Sequence, residues 1–306
     1  MSLYEILDPR FAALILPHAK LDRLATGFRW AEGPVWFPAA QMLLFSDIPG
    51  DRILRWTPDG TCAPFRAPAG YANGHTRDAQ GRLVSCCHAT RSVIRTEHDG
   101  SITTLAEHHR GQRLNAPNDV VVKSDGSIWF TDPTYGIMSD YEGYAADPEQ
   151  LARQVFRIGA DGGLTAVLDD FAQPNGLAFS PDERLLYVAE SGGSHDPAVP
   201  PVIRVFPVEG DRLGQGRDFA RLDAGVPDGI RVDRHGNLWS SAADGVQVFA
   251  PDGTRIGRVR VPEVVANLCF GGPRGNILFL TATTSLYAVY VNTAAADRMC
   301  LMTPGS

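Results

Sequence analysis

The same pattern of turns and strand-like runs recurs six times along this chain, and it constrains the fold more than any other feature. Each copy has a turn with Asp or Gly, a strand-like run, a gap and a second strand-like run. A third strand-like segment precedes each copy, and a turn such as Pro-Asp-Gly introduces a fourth. Four short strands per unit are typical of a β-propeller blade, so we predict an all-β, six-bladed β-propeller. The copies begin at Pro38, Asp78, Lys123, Ser180, Val232 and Gly271.

Length and composition fit one large propeller. The 306 residues include 31 glycines and 22 prolines, which suits a fold with many turns. No segment has the period of a long helix, so a sheet of alternating strands and helices is disfavoured. We predict a single domain over residues 1–306, with residues 1–19 as an N-terminal extension that includes a short helix. The last blade offers only three strand candidates, so we expect residues 21–28 to supply its fourth strand and close the ring.

Charge and cysteine content exclude several classes of partner. The formal net charge is −7 and no basic stripe is present, so a nucleic-acid partner is not expected. No apolar run approaches the roughly 18 residues that span a bilayer, and no secretory signal is apparent, so we expect no membrane association. The five cysteines are predicted to be free thiols in a reducing cytoplasm, with Cys86 and Cys87 on opposite faces of one strand. The oligomeric state stays open.

The residue that opens the first strand of each repeat carries a side-chain oxygen in all six repeats. First strands line the tunnel of a propeller, so these residues (the openers) are predicted to form a ring about its axis. Packed core positions would carry Val, Ile or Ala, whereas a hard cation with water satisfies a ring of oxygens. His and Cys are absent, which favours one calcium ion, with zinc, magnesium or manganese as alternatives. The openers are Glu32, Asn73, Asn118, Asn175, Asp228 and Asn267.

Turn formation is an alternative explanation of the openers. Asn and Asp often begin turns, and five of the six openers are followed by Gly or Asp. Glu32 has no special role in turns, and we therefore favour the cation site over turn formation.

Two of the repeats are longer than the others. The additional residues lie at 134–154, which is rich in Tyr, Asp and Glu, and at 191–201, which contains His195 and three prolines. Insertions on one rim of a scaffold commonly build or cover a ligand site. We therefore expect both segments near the mouth of the tunnel.

Five stretches of the chain resemble the gluconolactonase, regucalcin (senescence marker protein) and diisopropylfluorophosphatase group, and most of all bacterial gluconolactonases. They are WAEGPVW, LLFSDIPGDRILRW, RLNAPNDVVVKSDGSIWFTDPTYGI, QPNGLAFSPDERLLYVAE and PDGIRVDRHGNLW. The resemblance implies a six-bladed propeller whose catalytic divalent metal helps to open sugar lactones, D-glucono-1,5-lactone first among them, to aldonic acids. It maps metal ligands onto Glu32, Asn175 and Asp228, with Asn118 as a fourth ligand, direct or through water.

Lactone hydrolysis needs a polarised carbonyl group and a positioned water molecule. The metal would polarise the carbonyl as a Lewis acid. Asp228 is predicted to be the catalytic general base, and direct nucleophilic attack by its carboxylate is an alternative.

Five residues, Asn118 among them, are predicted to bind the substrate. Arg113 and Asn115 directly precede Asn118, and Arg113 is suited to the carboxylate product or the developing oxyanion, although a surface salt bridge is its alternative role. Tyr135 and His88 are further candidates, and a hydrogen-bonded position in the tunnel is the alternative for His88.

Other functions fit parts of the same pattern. One rival is a hydrolase of the same scaffold that acts on another lactone, an aryl ester or an organophosphate. A second is a non-enzymatic calcium-binding propeller, against which the carboxylates of Glu32 and Asp228 argue. A third, a sugar dehydrogenase with a quinone cofactor, has no positive feature in the sequence. No Gly-x-Ser-x-Gly elbow joins a strand to a helix, which disfavours a serine hydrolase.

Overall fold

The structure, a computed structural model that describes residues 2–296, contains six antiparallel sheets of four or five strands, or blades, and one two-stranded sheet. The first strand of each blade contacts the first strand of the next, and the sixth contacts the first, so the first strands form a closed ring. This arrangement is a six-bladed β-propeller, which confirms the predicted fold class. From blade 1 to blade 6, the first strands are Ala31–Phe37, Ala72–Arg77, Val120–Val122, Pro174–Phe179, Ile230–Val232 and Val265–Gly271.

Antiparallel pairing continues outward from the first strand through three more strands in every blade. The second strands are Met42–Asp47, Leu83–Cys87, Ile128–Asp132, Leu185–Glu190, Leu238–Ala242 and Ile277–Ala282. The third strands are Arg52–Trp56, Ser92–Thr96, Arg153–Ile158, Val202–Glu209, Gly245–Phe249 and Ser285–Tyr290. The fourth strands are Cys62–Arg66, Ile102–Ala106, Leu164–Phe171, Arg217–Arg221, Arg255–Arg260 and, in blade 6, Asp22–Thr26.

The N-terminal segment contributes to two blades. Asp22–Thr26 pairs with the third strand of blade 6, so this blade combines strands from both ends of the chain. Tyr4–Ile6 pairs with the fourth strand of blade 5 and adds a fifth strand there. The short helix Pro9–Ala12 buries Phe11 against Trp239 of blade 5. Both additions cover sheet edges that would otherwise present unpaired backbone groups.

Few other regular elements occur within residues 2–296. None of the helices there is long and apolar enough to cross a membrane. The short elements are the helix Tyr135–Met138, the 3-10 helices Ile48–Gly50 and Gly192–Ser194, and the strands His108–His109, Gln112–Arg113 and Arg212–Leu213.

The hydrophobic core consists of six clusters, each between two neighbouring blades. Consecutive strand residues point to opposite faces of a sheet and therefore enter different clusters. Leu43 packs towards blade 6 and Leu44 towards blade 2. Cys86 and Cys87 likewise enter different clusters, which confirms their predicted orientation. No disulfide joins the cysteines of the described part of the chain, and Cys300 lies outside it.

Glycines follow several openers because neighbouring first strands approach too closely for a side chain. A Cβ atom on Gly74 would overlap the carbonyl oxygen of Asn118, which accepts a 2.8 Å hydrogen bond from the Gly74 N–H group. A Cβ atom on Gly176 would overlap the carbonyl oxygen of Asp228 in the same way. Both glycines lie inside strands, so the turn explanation is wrong for them. They hold adjacent openers side by side on the ring.

Candidate active site

A cavity of about 440 Å³ opens at the end of the tunnel where the first strands begin. The loops at this end of the blades and the two insertions form the rest of its wall. The structure thus brings together residues that are up to 235 positions apart in the sequence, from Trp30 to Val265. Five of the six openers line the cavity: Glu32, Asn73, Asn118, Asn175 and Asp228.

Glu32 is buried at the junction of blades 6 and 1. One carboxyl oxygen, Oε2, accepts hydrogen bonds from Gly33 N at 2.6 Å and from Asn267 Nδ2 at 3.0 Å. Burial raises the pKa of the Glu32 carboxyl, and the Gly33 hydrogen bond only partly opposes this effect. Asn267, the sixth opener, therefore fixes the orientation of Glu32 and does not itself line the cavity.

Asp228 is the second carboxyl group among the openers. Its pKa is well above the usual range because of burial, followed by repulsion from the carboxyl groups of Glu32, Asp119 and Glu142. A hydrogen bond with the side chain of Asn175 acts in the opposite direction. A group that neutralises charge at this point would therefore relieve this repulsion.

Two amide oxygens in the cavity lack a hydrogen-bond donor. Oδ1 of Asn73 and Oδ1 of Asn175 are buried and have no partner within residues 2–296. An unsatisfied buried acceptor costs about 1–3 kcal/mol. Together with the carboxyl groups of Glu32 and Asp228, these atoms form a set of oxygen donors only.

The oxygen donors fit a hard divalent cation such as calcium better than a soft metal ion. No cluster of three or more His, Cys, Asp or Glu side chains that could hold a metal occurs in the described residues. A cation in this cavity would therefore have to take amide oxygens as ligands in addition to the carboxylates of Glu32 and Asp228.

His88 lies behind the cavity wall and connects an opener to the first insertion. Its Nδ1 atom is 2.8 Å from the backbone oxygen of Glu142, and its Nε2 atom is 3.3 Å from Asn73 Nδ2. A carbonyl oxygen only accepts, so Nδ1 carries the proton and Nε2 accepts from the Asn73 amide. Burial lowers the pKa of His88 to about 4, in keeping with this neutral form. The hydrogen bond to His88 leaves Asn73 Oδ1 as the unpartnered atom.

Tyr135, His195 and Ser194 join the two insertions at the cavity. The Tyr135 hydroxyl donates to Ser191 O at 3.0 Å and lies 3.1 Å from Ser194 Oγ. The rings of Tyr135 and His195 are 5.5 Å apart, and Ser194 Oγ is 2.8 Å from His195 Nδ1. The prediction that both insertions approach the tunnel mouth is confirmed, because Tyr135, Ser191 and His195 line the cavity.

Arg113 and Asn115 lie outside the cavity lining, as does His88. The Arg113 guanidinium donates to the backbone oxygen of Thr90 at 3.1 Å. The Asn115 amide donates to the backbone oxygens of Asp132 and Ala152, and its side chain is fully buried. The sequence placed these residues at the tunnel because they adjoin Asn118, but the intervening backbone turns their side chains towards loop carbonyl groups instead.

Sequence reasoning missed an acidic residue and an apolar wall. Glu142, in the first insertion, is a third carboxyl group that lines the cavity. The side chains of Trp30, Ile48 and Val264 contribute to an apolar part of the lining. The unusual length of the insertion was the only signal for Glu142, since it has no counterpart in the repeat.

Comparison with known proteins places this geometry in a family. A family model described as SMP-30/Gluconolactonase/LRE-like region matches residues 30–284, most of the propeller. The chain belongs to this family. As an SMP-30/gluconolactonase family member, it shares the six-bladed architecture with solved relatives throughout almost its entire length.

Three relatives of this family member are informative. A gluconolactonase from Zymomonas mobilis is 32% identical over 311 aligned residues, which cover 94% of this chain and 85% of that protein. A solved gluconolactonase from Xanthomonas campestris is 39% identical, with a TM-score of 0.89 and 95% of both chains covered. A 6-deoxy-6-sulfogluconolactonase from Pseudomonas putida is 29% identical, with 82% of both proteins covered.

Proposed function

We propose that this SMP-30/gluconolactonase family member is a divalent-cation-dependent lactone hydrolase that converts D-glucono-1,5-lactone to the aldonic acid. The gluconolactonases of Zymomonas mobilis and Xanthomonas campestris support the gluconolactonase-like activity. The observation that supports a bound cation is the set of buried, unpartnered amide oxygens beside two mutually repelling carboxyl groups. The proposed ligands are Glu32, Asn118, Asn175 and Asp228, and calcium is favoured over zinc, magnesium and manganese.

The charge of the cavity favours a neutral substrate. Among the described residues that line it, three carry carboxyl groups and none is Lys or Arg. No cationic side chain of this lining is available to pair with an anionic lactone, so the 6-deoxy-6-sulfogluconolactonase of Pseudomonas putida does not define the substrate here. A neutral sugar lactone needs no such partner.

Hydrolysis adds water to the lactone carbonyl carbon and breaks the bond from that carbon to the ring oxygen, which leaves as a hydroxyl group. A divalent cation held by Glu32, Asn118, Asn175 and Asp228 would polarise the carbonyl group. We assign Asp228 as the general base that accepts a proton from the attacking water on a carboxyl oxygen and then returns it to the departing ring oxygen. Direct nucleophilic attack by the same carboxylate is the alternative to this role.

Other cavity residues orient the substrate in this proposal. Trp30, Ile48 and Val264 exclude water from one side of the lactone ring. The Tyr135 hydroxyl is committed to Ser191 O, so Tyr135 shapes the wall and holds the insertions together. Asn118 lines the cavity and is proposed as a substrate and cation contact. We place the enzyme in the cytoplasm, because its buried thiols are typical of reducing compartments.

Hydrolysis of D-glucono-1,5-lactone by the chelator-treated protein tests the proposal. Acid release is followed at constant pH after re-addition of calcium, zinc, magnesium or manganese, and the spontaneous rate is subtracted. We expect one cation to restore activity, and we expect Asp228→Asn and Glu32→Gln to abolish it while the fold is retained. Full activity of the chelated protein, or of both variants, would refute the cation-dependent mechanism.

A further inference from the structure

The first insertion presents a carboxyl group that the proposed chemistry does not use. Glu142 lies between the second and third strands of blade 3 and lines the same cavity as Glu32 and Asp228. It is close enough to both of these carboxyl groups to raise their pKa values. The insertion therefore adds negative charge to a cavity that already contains two carboxyl groups.

The backbone at Glu142 is held in place by close packing. His88 Nδ1 donates a 2.8 Å hydrogen bond to the Glu142 backbone oxygen. A Cβ atom on Gly143 would overlap the backbone oxygen of Gly136, and one on Gly136 would overlap the His88 ring. Both positions therefore accept only glycine without rearrangement. This packing fixes the point from which the Glu142 side chain reaches the cavity.

The carboxyl group of Glu142 has no hydrogen-bond donor and no ion-pair partner among residues 2–296. Glu149, on the same insertion, shows the contrast. Its carboxylate accepts from Arg113 N at 2.9 Å and pairs with Arg91 at 3.2 Å, so it holds the insertion to the propeller. A largely buried carboxyl group without a partner is unfavourable for the protein alone. The structure therefore leaves its acceptor atoms available to a ligand in the cavity.

We propose that Glu142 is a specificity-determining residue that accepts hydrogen bonds from hydroxyl groups of the substrate. This inference rests on the proposed lactonase function and adds the basis for selecting hydroxylated lactones. A polyhydroxylated ring supplies donors to the Glu142 carboxyl group. A ring without hydroxyl groups desolvates that carboxyl group and gives it no hydrogen bond in exchange. Binding of such a ring is therefore strongly disfavoured at this site.

The test compares kcat/KM for D-glucono-1,5-lactone with that for δ-valerolactone, a lactone of the same ring size without hydroxyl groups. Glu142→Met removes the acceptors at similar length, Glu142→Gln retains one carbonyl acceptor, and Glu149→Gln is the control on the same insertion. We expect Glu142→Met to lower kcat/KM for gluconolactone by about tenfold or more, mainly through KM. It should not lower kcat/KM for δ-valerolactone, because that lactone no longer desolvates a carboxyl group when it binds. The kcat/KM of Glu142→Gln for gluconolactone should lie between the values of the wild type and of Glu142→Met. Glu149→Gln should retain the wild-type ratio of kcat/KM for the two lactones.

Three outcomes would overturn the inference. If Glu142→Met and Glu142→Gln lowered kcat/KM equally for both lactones, Glu142 would contribute to the reaction step common to both lactones or to the fold. An unchanged preference for gluconolactone would show that other residues recognise the hydroxyl groups. Inactivity of the unaltered, cation-loaded protein on both lactones would instead refute the proposed function itself, and the inference with it.

Discussion

The proposed cation site predicts that Glu32, which is needed for activity, lowers the stability of the cation-free protein. Glu32→Gln preserves the local hydrogen bonds, because Gly33 and Asn267 both donate to a single carboxyl oxygen that the glutamine carbonyl can replace. It removes a buried charge that repels Asp228. In the presence of a chelator, we therefore expect the variant to be more stable than the wild type by about 1–3 kcal/mol. At about 2 °C per kcal/mol for a chain of this size, the increase in Tm is about 2–6 °C.

A divalent cation should reverse this order. A ligand at one thousand times its Kd stabilises the native state by about 4.1 kcal/mol, which corresponds to an increase of about 8 °C in Tm of the wild type. Glu32→Gln lacks one proposed ligand and should gain much less. Thermal unfolding followed by circular dichroism, with chelator and with a calcium series, measures both effects.

The control for this prediction is Glu149→Gln, whose carboxylate holds Arg91 outside the cavity. It should lose stability and keep the full response to the cation. The reasoning would be refuted if Glu32→Gln were less stable than the wild type in chelator, or if calcium stabilised both proteins equally.

Three further predictions concern packing, pH and substrate contact. Gly176→Ala should destabilise the propeller by about 1–3 kcal/mol in urea unfolding, because the added Cβ atom overlaps the Asp228 backbone. Gly163→Ala, on the surface, should lower the free energy of unfolding less, and equal losses would contradict the close-packing argument. Burial holds the pKa of His75 at about 3, so its contribution to stability should be fully present above pH 6.5. The free energy of unfolding should fall by up to about 1.4 kcal/mol per pH unit as the pH drops towards 3. His75→Gln should flatten that slope, and an unchanged slope would exclude His75 as the cause. Arg113→Ala should change kcat/KM by less than about threefold, since its guanidinium bonds a loop carbonyl; a larger loss would restore it as a substrate contact.

The repeat made the propeller predictable from sequence. Six copies of the same strand pattern require six equivalent sheets, and a closed ring leaves no first strand without neighbours. The second strands read as continuous apolar runs because both of their faces are buried between blades, as the separate clusters of Leu43 and Leu44 demonstrate. The pairing of Tyr4–Ile6 with blade 5 could not be foreseen, because three residues at an outer edge carry no periodic signal.

Equivalent positions in a repeat are also the reason that the openers could be aligned. Proximity to Asn118 in the sequence suggested Arg113 and Asn115 as substrate contacts, but both direct their side chains to backbone carbonyl groups. Glu142 was missed because an insertion has no repeat against which to align it. Its position depends on the contact of His88 with the insertion, 54 residues away in sequence.

The location of a bound ion tests the central claim most directly. Crystals of the protein loaded with manganese, measured at an energy where manganese scatters anomalously, would show where a divalent cation binds. We predict a single strong peak in the tunnel cavity, with oxygen atoms of Glu32, Asn118, Asn175 and Asp228 at about 2.0–2.6 Å. A fully loaded crystal with its only peak elsewhere, or with those four side chains directed away from the ion, would contradict the account.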